Sequence, residues 1–295
     1  MNHTSLEIFR VVAEELSIVK AAKRLGRVQS NITTRIQLLE EELDALLFIR
    51  ENKKLRLSPQ GKQFLVYTKK ILGLAQEARQ CLHPTVPTGT LALGTMESTA
   101  ASRLAEPLVA FSQSCPEATL SLCTLPTRPL IAKVLQSELD CALVSLPVGK
   151  DGDIESPESL AWQPLFMEEL VLVLPVGMNL IHNLRDISEG HLAAFPQGCT
   201  YRDIATALLS KMAGNGKQIR IQEVGSYHAM LACVASGAYM CMLPESVLRL
   251  LQMPEGLTVL PAGSAVTQLV WRKEFSSPAL DKLRQILQNH SNLAA

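Results

Sequence analysis

Between Arg27 and Gln37 the chain concentrates side chains suited to hydrogen bonding: Arg27, Gln29, Ser30, Asn31, Thr33, Thr34, Arg35 and Gln37. On a helix turning about 100° per residue, Val28, Ile32, Ile36, Leu39 and Leu43 fall in one apolar stripe. Ser30, Thr33, Thr34 and Gln37 lie opposite it, with Gln29 and Asn31 on the flanks. Gln and Asn can pair bidentately with adenine, while Ser and Thr suit bases or phosphates. Arg27 and Arg35 border the apolar side and are better placed for backbone phosphates. Farther along, Arg50, Lys53, Lys54 and Arg56 gather around the polar tip Glu51-Asn52-Lys53-Lys54. Such cations add salt-dependent affinity for a polyanion without reading its sequence. A solvated helix face is the ordinary fate of these residues, so the surrounding elements must decide.

Those elements have a recognisable order. Leu6, Phe9, Val12, Ala13 and Leu16 mark the apolar face of a first helix, with Thr4 or Ser5 as its cap. A second helix starts near Ser17 and passes Ala21, Ala22 and Leu25 to stop at Gly26. The striped helix follows, completing a helix-turn-helix. Apolar-alternating runs at 46–50 and 55–57 then read as a β-hairpin, the wing of a winged helix. Ser58-Pro59 caps a fourth helix whose apolar residues are Phe64, Tyr67, Ile71, Leu74, Ala78 and Cys81. Spacings of three and four make a coiled-coil seam, and a second copy of the chain is the simplest partner for it. Packing onto its own domain is the alternative. Together these elements favour double-stranded DNA as the partner.

Charge supports that reading once it is divided. The 295 residues carry 28 basic and 28 acidic side chains, a net of zero. Residues 1–83 hold 14 Lys/Arg against 9 Asp/Glu, a net of +5, and residues 84–295 hold 14 against 19, a net of −5. A basic module that meets a polyanion is therefore joined to a module with another task.

After the linker His83–Gly89, strands and helices alternate. Strands are expected near 90–94, 118–124, 141–146, 162–166, 169–175, 218–223, 239–243, 257–260 and 267–272. Helices are expected at 99–113, 129–138, 202–213, 227–236, 245–251 and 278–289, with a Gly/Asp/Pro-rich interruption at 149–158. The alternation implies an α/β region of mostly parallel sheet, long enough for two lobes with a cleft between them. The uncharged stretch between Glu223 and Glu245 reads as a buried helix, a glycine break and a buried strand, not a bilayer span.

Seven scattered cysteines with no C-x-x-C pair suggest a reducing cytosol, and the acidic N-terminus is unlike a signal peptide. No nucleotide-binding, metalloprotease or hydrolase motif and no zinc knuckle is present, so no catalytic residue, metal or cofactor is expected.

The first segment resembles the LysR-type transcriptional regulators, and the resemblance covers the whole chain. Phe9, Ser17, Ala21-Ala22, Leu25, Gln29, Thr33, Ile36, Leu39-Glu40, Leu43, Leu47-Phe48, Arg50 and Leu57-Ser58-Pro-Gln-Gly61 carry it. Leu16 and Asp44 stand where that family commonly has glycine. The resemblance implies a bacterial, cytoplasmic regulator, homodimeric or homotetrameric, with an effector domain of two Rossmann-like lobes resembling periplasmic solute-binding proteins. On that pattern the winged helix spans 1–59, the linker and dimerisation helix 60–88, and the effector domain 89–295. Lobe 1 would be 89–162 with 267–295, lobe 2 163–266, and the chain would cross between lobes near 161–165 and 263–268. Within the family, Arg27–Arg35, Met96–Ala100 and Ser226–Leu231 are similar to enterobacterial regulators of putrescine utilisation.

In open α/β sheets, ligands lie beyond the carboxyl ends of strands, near helix N-termini. Four segments have that form: Glu97-Ser98-Thr99, Thr127-Arg128, Gly198-Cys199-Thr200-Tyr201 and Ser226-Tyr227-His228. Ser98, Thr99, Thr200 and Ser226 also suit plain helix caps, and Thr200 with Asp203 has capping-box spacing. Arg128 and Arg202 would favour a carboxylate effector, while Glu97, Tyr201 and Tyr227 could receive an amine, so carboxylates, amino acids and polyamines all remain open. Peroxide sensors of this family raise a redox reading for Cys199, with Cys233 following 34 residues later. A buried inert thiol is preferred. The rival overall reading is an α/β enzyme tethered to a DNA-binding module, and a plain solute-binding protein is a third.

Overall fold

The computed structural model describes residues 1–51, 54–81, 87–146, 157–178, 183–184, 187, 190–212 and 219–293. Lys53 with the wing tip Asn52, the Cys81 side chain, most of the linker and nearly all of the 149–158 interruption lie outside them. The chain divides into two compact units, residues 1–83 with 136–138, and 84–135 with 139–295.

The first unit contains α1 (His3–Glu15), α2 (Ile18–Leu25), α3 (Gln29–Leu43), the hairpin β1 (Phe48–Glu51) and β2 (Lys54–Leu57), and α4 (Pro59–Cys81). Its core is Ile8, Phe9, Val12, Ala21, Ala22, Ile32, Ile36, Leu39 and Leu47. The first three helices stop where the backbone turns left-handed: Leu16 at φ 48°, Gly26 at 61° and Asp44 at 47°. Glycine adopts that turn freely and Asp tolerates it, whereas Leu16 is the strained member.

Three expectations change here. Asn2, not Thr4 or Ser5, caps α1, its side chain accepting from the Ser5 amide at 2.9 Å. Val28 is the N-cap of α3 and is 69% exposed, so the buried stripe begins at Ile32. Phe64 is half-buried and packs on Phe9, ring centroids 5.1 Å apart, within its own domain. It therefore belongs to the winged-helix core, because α4 must first close that core before its seam can face outward. Tyr67, Ile71, Leu74 and Ala78 remain exposed.

The second unit is built on a sheet that, among the described residues, has eight strands in the order β4-β3-β5-β10-β6-β9-β7-β8. These are β3 (Gly89–Thr95), β4 (Ala118–Thr124), β5 (Cys141–Ser145), β6 (Leu160–Leu174), β7 (His191–Ala194), β8 (Ile221–Glu223), β9 (Tyr239–Pro244) and β10 (Thr258–Arg272). The helices are α5 (Glu97–Ser102), α6 (Ala105–Ser114), α7 (Thr127–Leu135), α8 (Thr200–Met212), α9 (Tyr227–Ala235), α10 (Glu245–Leu248) and α11 (Pro278–Asn289). Strands joined through helices pair in parallel: β3 with β4 and β5, and β7 with β8 and β9.

The two long strands run antiparallel to each other over their whole length. Near one end β10 pairs with β5, and toward the other β6 pairs with β9. One sheet thus serves two lobes with separate cores, one around Leu93, Phe111 and Leu283, the other around Leu172, Leu192 and Met242.

Here too some expectations change. The strand pairs expected at 162–166 and 169–175, and at 257–260 and 267–272, are single strands. Pro164, Pro261 and Gly263 look like breakers but sit at bulges, with register shifts between Pro261 and Ser264 and between Thr267 and Gln268. The helix expected at 99–113 is two helices, because the ring of Pro107 cannot tolerate the Arg103 carbonyl four residues earlier in a continuous helix. Strand β7 was missed, since His191-Leu-Ala-Ala is too short to show a period.

Candidate functional site

Two surfaces carry the chemistry, one on each unit. On the first, Gln29, Ser30, Asn31, Thr33, Thr34 and Gln37 all point to solvent, because burial of Ile32, Ile36 and Leu39 turns the opposite face of α3 outward. The Thr33 hydroxyl donates back to the Gln29 carbonyl at 3.0 Å, leaving its lone pairs outward. Arg27 is exposed and Arg35 half-buried. Val28, read from sequence as core, stands exposed beside Gln29, where an apolar side chain can meet a thymine methyl group.

The wing adds its cations to this unit. Arg50 and Lys54 are exposed, and Arg56 is paired to Glu51 at 2.8 Å. Together with Leu16, Ser17, Ile18 and Leu55 they line an open concavity of about 530 Å³. Ser17 caps α2 there, its side chain accepting from the Lys20 amide at 3.3 Å. Cations beside the amide end of a helix make a place for an anion such as a backbone phosphate.

In the second unit a cavity of about 450 Å³ opens between the lobes. Glu97, Ser98 and Thr127 line it from one lobe, and Cys199, Thr200, Tyr201 and Tyr227 from the other. The sequence missed the rest of the wall: Met96, Thr124 to Pro126, Pro129, Phe195 to Gln197 and Gly225. Phe195 and Tyr227 meet edge to face, centroids 4.9 Å apart.

Thr99, Arg128, Ser226 and His228, also expected there, do not line the cavity. Ser226 caps α9, accepting from the Ala229 amide at 3.2 Å, and His228 is exposed on that helix. Thr200 and Asp203 form no capping box. The Thr200 hydroxyl donates instead to the Ser145 carbonyl at 2.6 Å, with the Thr127 hydroxyl 3.1 Å away, and Asp203 pairs with Arg128 at 2.7 Å.

The charge of the cavity follows from these pairings. Arg128 is spent on Asp203, and Arg202 on Glu223 at 2.5 Å and the Phe195 carbonyl at 3.1 Å. Among the described residues no Lys, Arg or His lines the cavity, and Glu97, exposed at its edge, is the lining carboxylate. Burial, then the Glu168 charge, push the Tyr201 phenol well above its ordinary range, while the hydroxyls of Ser98 and Thr267 pull the other way. Burial also raises Tyr227, followed by Tyr201 and Cys199. Both phenols stay protonated.

Burial raises the Cys199 thiol as well, against smaller lowering contributions from the backbone amides of Arg202 and Tyr201. A raised thiol holds less thiolate at neutral pH, so Cys199 is expected to react with iodoacetamide at pH 7 more slowly than an unperturbed thiol. Its rate should climb only above the ordinary thiol range of about 8.5. Peptide mass spectrometry of alkylated protein measures this. Fast labelling at pH 7, or ready oxidation by dilute peroxide, would reverse the inert-thiol reading.

Beside the cavity, sequence reasoning missed a second feature. Arg103, freed by the break between α5 and α6, grips Glu168 on β6 with two bonds, Nε to Oε1 at 2.8 Å and Nη2 to Oε2 at 3.1 Å. Ser246 on α10 donates to the same carboxylate at 2.6 Å. Glu168 is 3% exposed. Three distant segments therefore meet on one buried charge, and no local pattern announces that.

Comparison with known proteins adds to this geometry. Residues 3–62 match the family model "Bacterial regulatory helix-turn-helix protein, lysR family", and residues 84–292 match "LysR substrate binding domain". The HTH-type transcriptional regulator GltR of Bacillus subtilis is 34% identical over 249 residues, covering 84% of this chain and 81% of its own. YusT of the same organism, an uncharacterized HTH-type regulator, is 34% identical over 286 residues, 95% of this chain and 93% of its own. Among solved structures, a variant of full-length OxyR from Pseudomonas aeruginosa has a TM-score of 0.72 at 21% identity, covering 98% of this chain and 95% of its own. CbnR, also solved with its target DNA, gives 0.68 at 24% identity, covering 99% of this chain and all of its own.

Proposed function

The chain belongs to the LysR family of bacterial helix-turn-helix regulators, and from that premise we propose how its own residues divide the work. It is a DNA-binding transcriptional regulator with a small-molecule effector domain, not an enzyme. Gln29, Ser30, Asn31, Thr33, Thr34 and Gln37 read base edges in the major groove. Arg27, Arg35, Arg50, Lys54 and Arg56 hold phosphates, and Lys53 is assigned with them from sequence. Tyr67, Ile71, Leu74 and Ala78 form the seam of a homodimer. The observation that carries the DNA reading is the outward face of α3, polar throughout its first turns over a fully buried stripe.

For the effector we infer a molecule with an apolar body between the lobes, and we favour an amine-bearing one over a carboxylate. Arg128 and Arg202 are paired away from the cavity, while Glu97 stands at its edge. The similarity to putrescine-utilisation regulators in three segments points the same way. The family's bacterial regulators support a cytoplasmic location.

Footprinting on a site selected from random-sequence DNA is the test, and protection at two half-sites is expected. Binding without sequence preference at physiological salt would overturn the reading. Two variants separate the contact classes. Lys54→Ala should weaken all sequences alike and reduce the log–log salt slope by about 0.9, one phosphate contact. Gln29→Ala should cost about 1–3 kcal/mol at one base pair, relax the preference there and leave the slope unchanged. Fluorescence anisotropy across a salt series measures both.

A further inference from the structure

Three of the helices in the first unit begin on a polar side chain that answers an amide of the first turn. Asn2 accepts from the Ser5 amide in α1 at 2.9 Å, and Ser17 from the Lys20 amide in α2 at 3.3 Å. Ser58 accepts from the Gly61 amide in α4 at 2.8 Å. The remaining helix, α3, begins on Val28, whose side chain makes no such bond. Ser, Thr, Asp and Asn lead at this position because an oxygen there satisfies one orphan amide, and valine is among the poorest choices. The helix assigned to base reading therefore lacks the cap that its three neighbours have.

Val28 gains no burial in exchange. It is 69% exposed, outside the core that holds Ile32, Ile36 and Leu39. Its backbone is extended, at φ −75° and ψ 146°, a conformation that serine and threonine adopt equally well. Neither packing nor backbone geometry explains the valine. Single exposed apolar residues are ordinary on a protein surface, and Val19 and Leu46 are others in this unit. Position sets Val28 apart. It adjoins Arg27, Gln29, Ser30 and Asn31, all exposed, at the end of α3 from which a recognition helix contacts base edges. Among the base edges of the major groove, the C5 methyl of thymine is the apolar feature, and an exposed isopropyl group complements it.

We propose that Val28 is a specificity-determining residue of the DNA-reading surface and contacts the C5 methyl of one thymine in each half-site. The proposal rests on α3 being the base-reading helix, and it adds an apolar contact to the polar ones assigned to Gln29 and its neighbours. Valine at the cap gives up a hydrogen bond within the helix for a contact made only on DNA.

The test uses the full-length chain and its selected DNA site, with each thymine in turn replaced by deoxyuridine, which lacks only that methyl. Fluorescence anisotropy is expected to show one position per half-site where the replacement weakens binding about fourfold, the worth of one buried methyl. Replacement in both half-sites should weaken it about sixteenfold. In Val28→Ser the penalty at that position should vanish, while the preference at the base pair assigned to Gln29 stays. Val28→Thr keeps one of the two methyls and should retain part of the penalty. Both variants restore a capping oxygen, so amide hydrogen exchange in the first turn of α3 should slow about fivefold, and the lost preference then does not come from a lost helix. A penalty that persists in Val28→Ser belongs to another side chain and overturns the assignment, as does a scan in which no thymine responds. Equal weakening on all sequences in Val28→Ser, or faster exchange in α3, would make Val28 structural and overturn it too. If no preferred site emerges from random-sequence DNA, the base-reading premise itself fails and the proposal falls with it.

Discussion

Replacing Arg103 by alanine is expected to destabilise the effector unit by about 3–5 kcal/mol, because it leaves the Glu168 carboxylate buried without its cation. The carboxylate is 3% exposed, so water cannot take over from the guanidinium, and the 2.6 Å bond from Ser246 answers only one oxygen. At the usual proportion for a unit of this size, that loss lowers the midpoint by about 10 °C. The two tryptophans, Trp162 and Trp271, both lie in the second unit, so intrinsic fluorescence during heating reports that unit alone. Glu168→Gln, which removes the charge and keeps a hydrogen-bonding group, should cost less than Arg103→Ala. Arg103→Met with Glu168→Leu should recover most of the loss, since an apolar pair needs no desolvated charge. If Arg103→Ala melts with the unmodified chain, the pair is not a structural tie.

The tie also explains how much of this molecule its sequence could reveal. In the first unit, side chains contact others a few positions away along a helix, and helical spacing alone exposes Gln29, Ser30, Asn31, Thr33, Thr34 and Gln37 and buries Ile32, Ile36 and Leu39. Val28 and Phe64 escape the same reasoning, because a cap position and a tertiary partner override period. In the second unit, strand ends followed by helix starts place Ser98, Thr127, Thr200 and Tyr227 near one cavity, as α/β geometry requires. That rule locates loops, not side-chain directions, so Ser226 and His228 followed a helix surface instead. Arg103, Glu168 and Ser246 are separated by 65 and 78 residues, with no period to connect them. Pro164 and Gly263 misled because a bulge within a long strand and a break between two strands use the same residues.

Gly61→Ala is expected to disable DNA binding while leaving the effector unit intact. The Leu57-Ser58-Pro-Gln-Gly61 turn reads at first as a helix start, and its final glycine has no positive φ to explain it. The reason is contact. A methyl group on Gly61 would run into the Leu47 carbonyl oxygen and come within 2.9 Å of its carbonyl carbon. That carbonyl already accepts from the Ser58 amide at 2.9 Å, while the Ser58 hydroxyl donates to Leu46 and accepts from the Gly61 amide at 2.8 Å. Backbone on both sides is thus fixed, and the first turn of α4 must move away from the Leu47 backbone that leads into β1. The cost belongs at the upper end for overpacking, about 3 kcal/mol, a large fraction of what a domain of this size has. Gly26→Ala is the control: its would-be methyl meets open space, so only the left-handed backbone at φ 61° is strained, by about 1 kcal/mol. Anisotropy on a selected DNA site should show at least a hundredfold loss for Gly61→Ala and a modest one for Gly26→Ala, with tryptophan-monitored melting unchanged in both. Full DNA affinity in Gly61→Ala would mean that wing and linker helix can separate without consequence, and would detach that turn from the DNA-reading geometry.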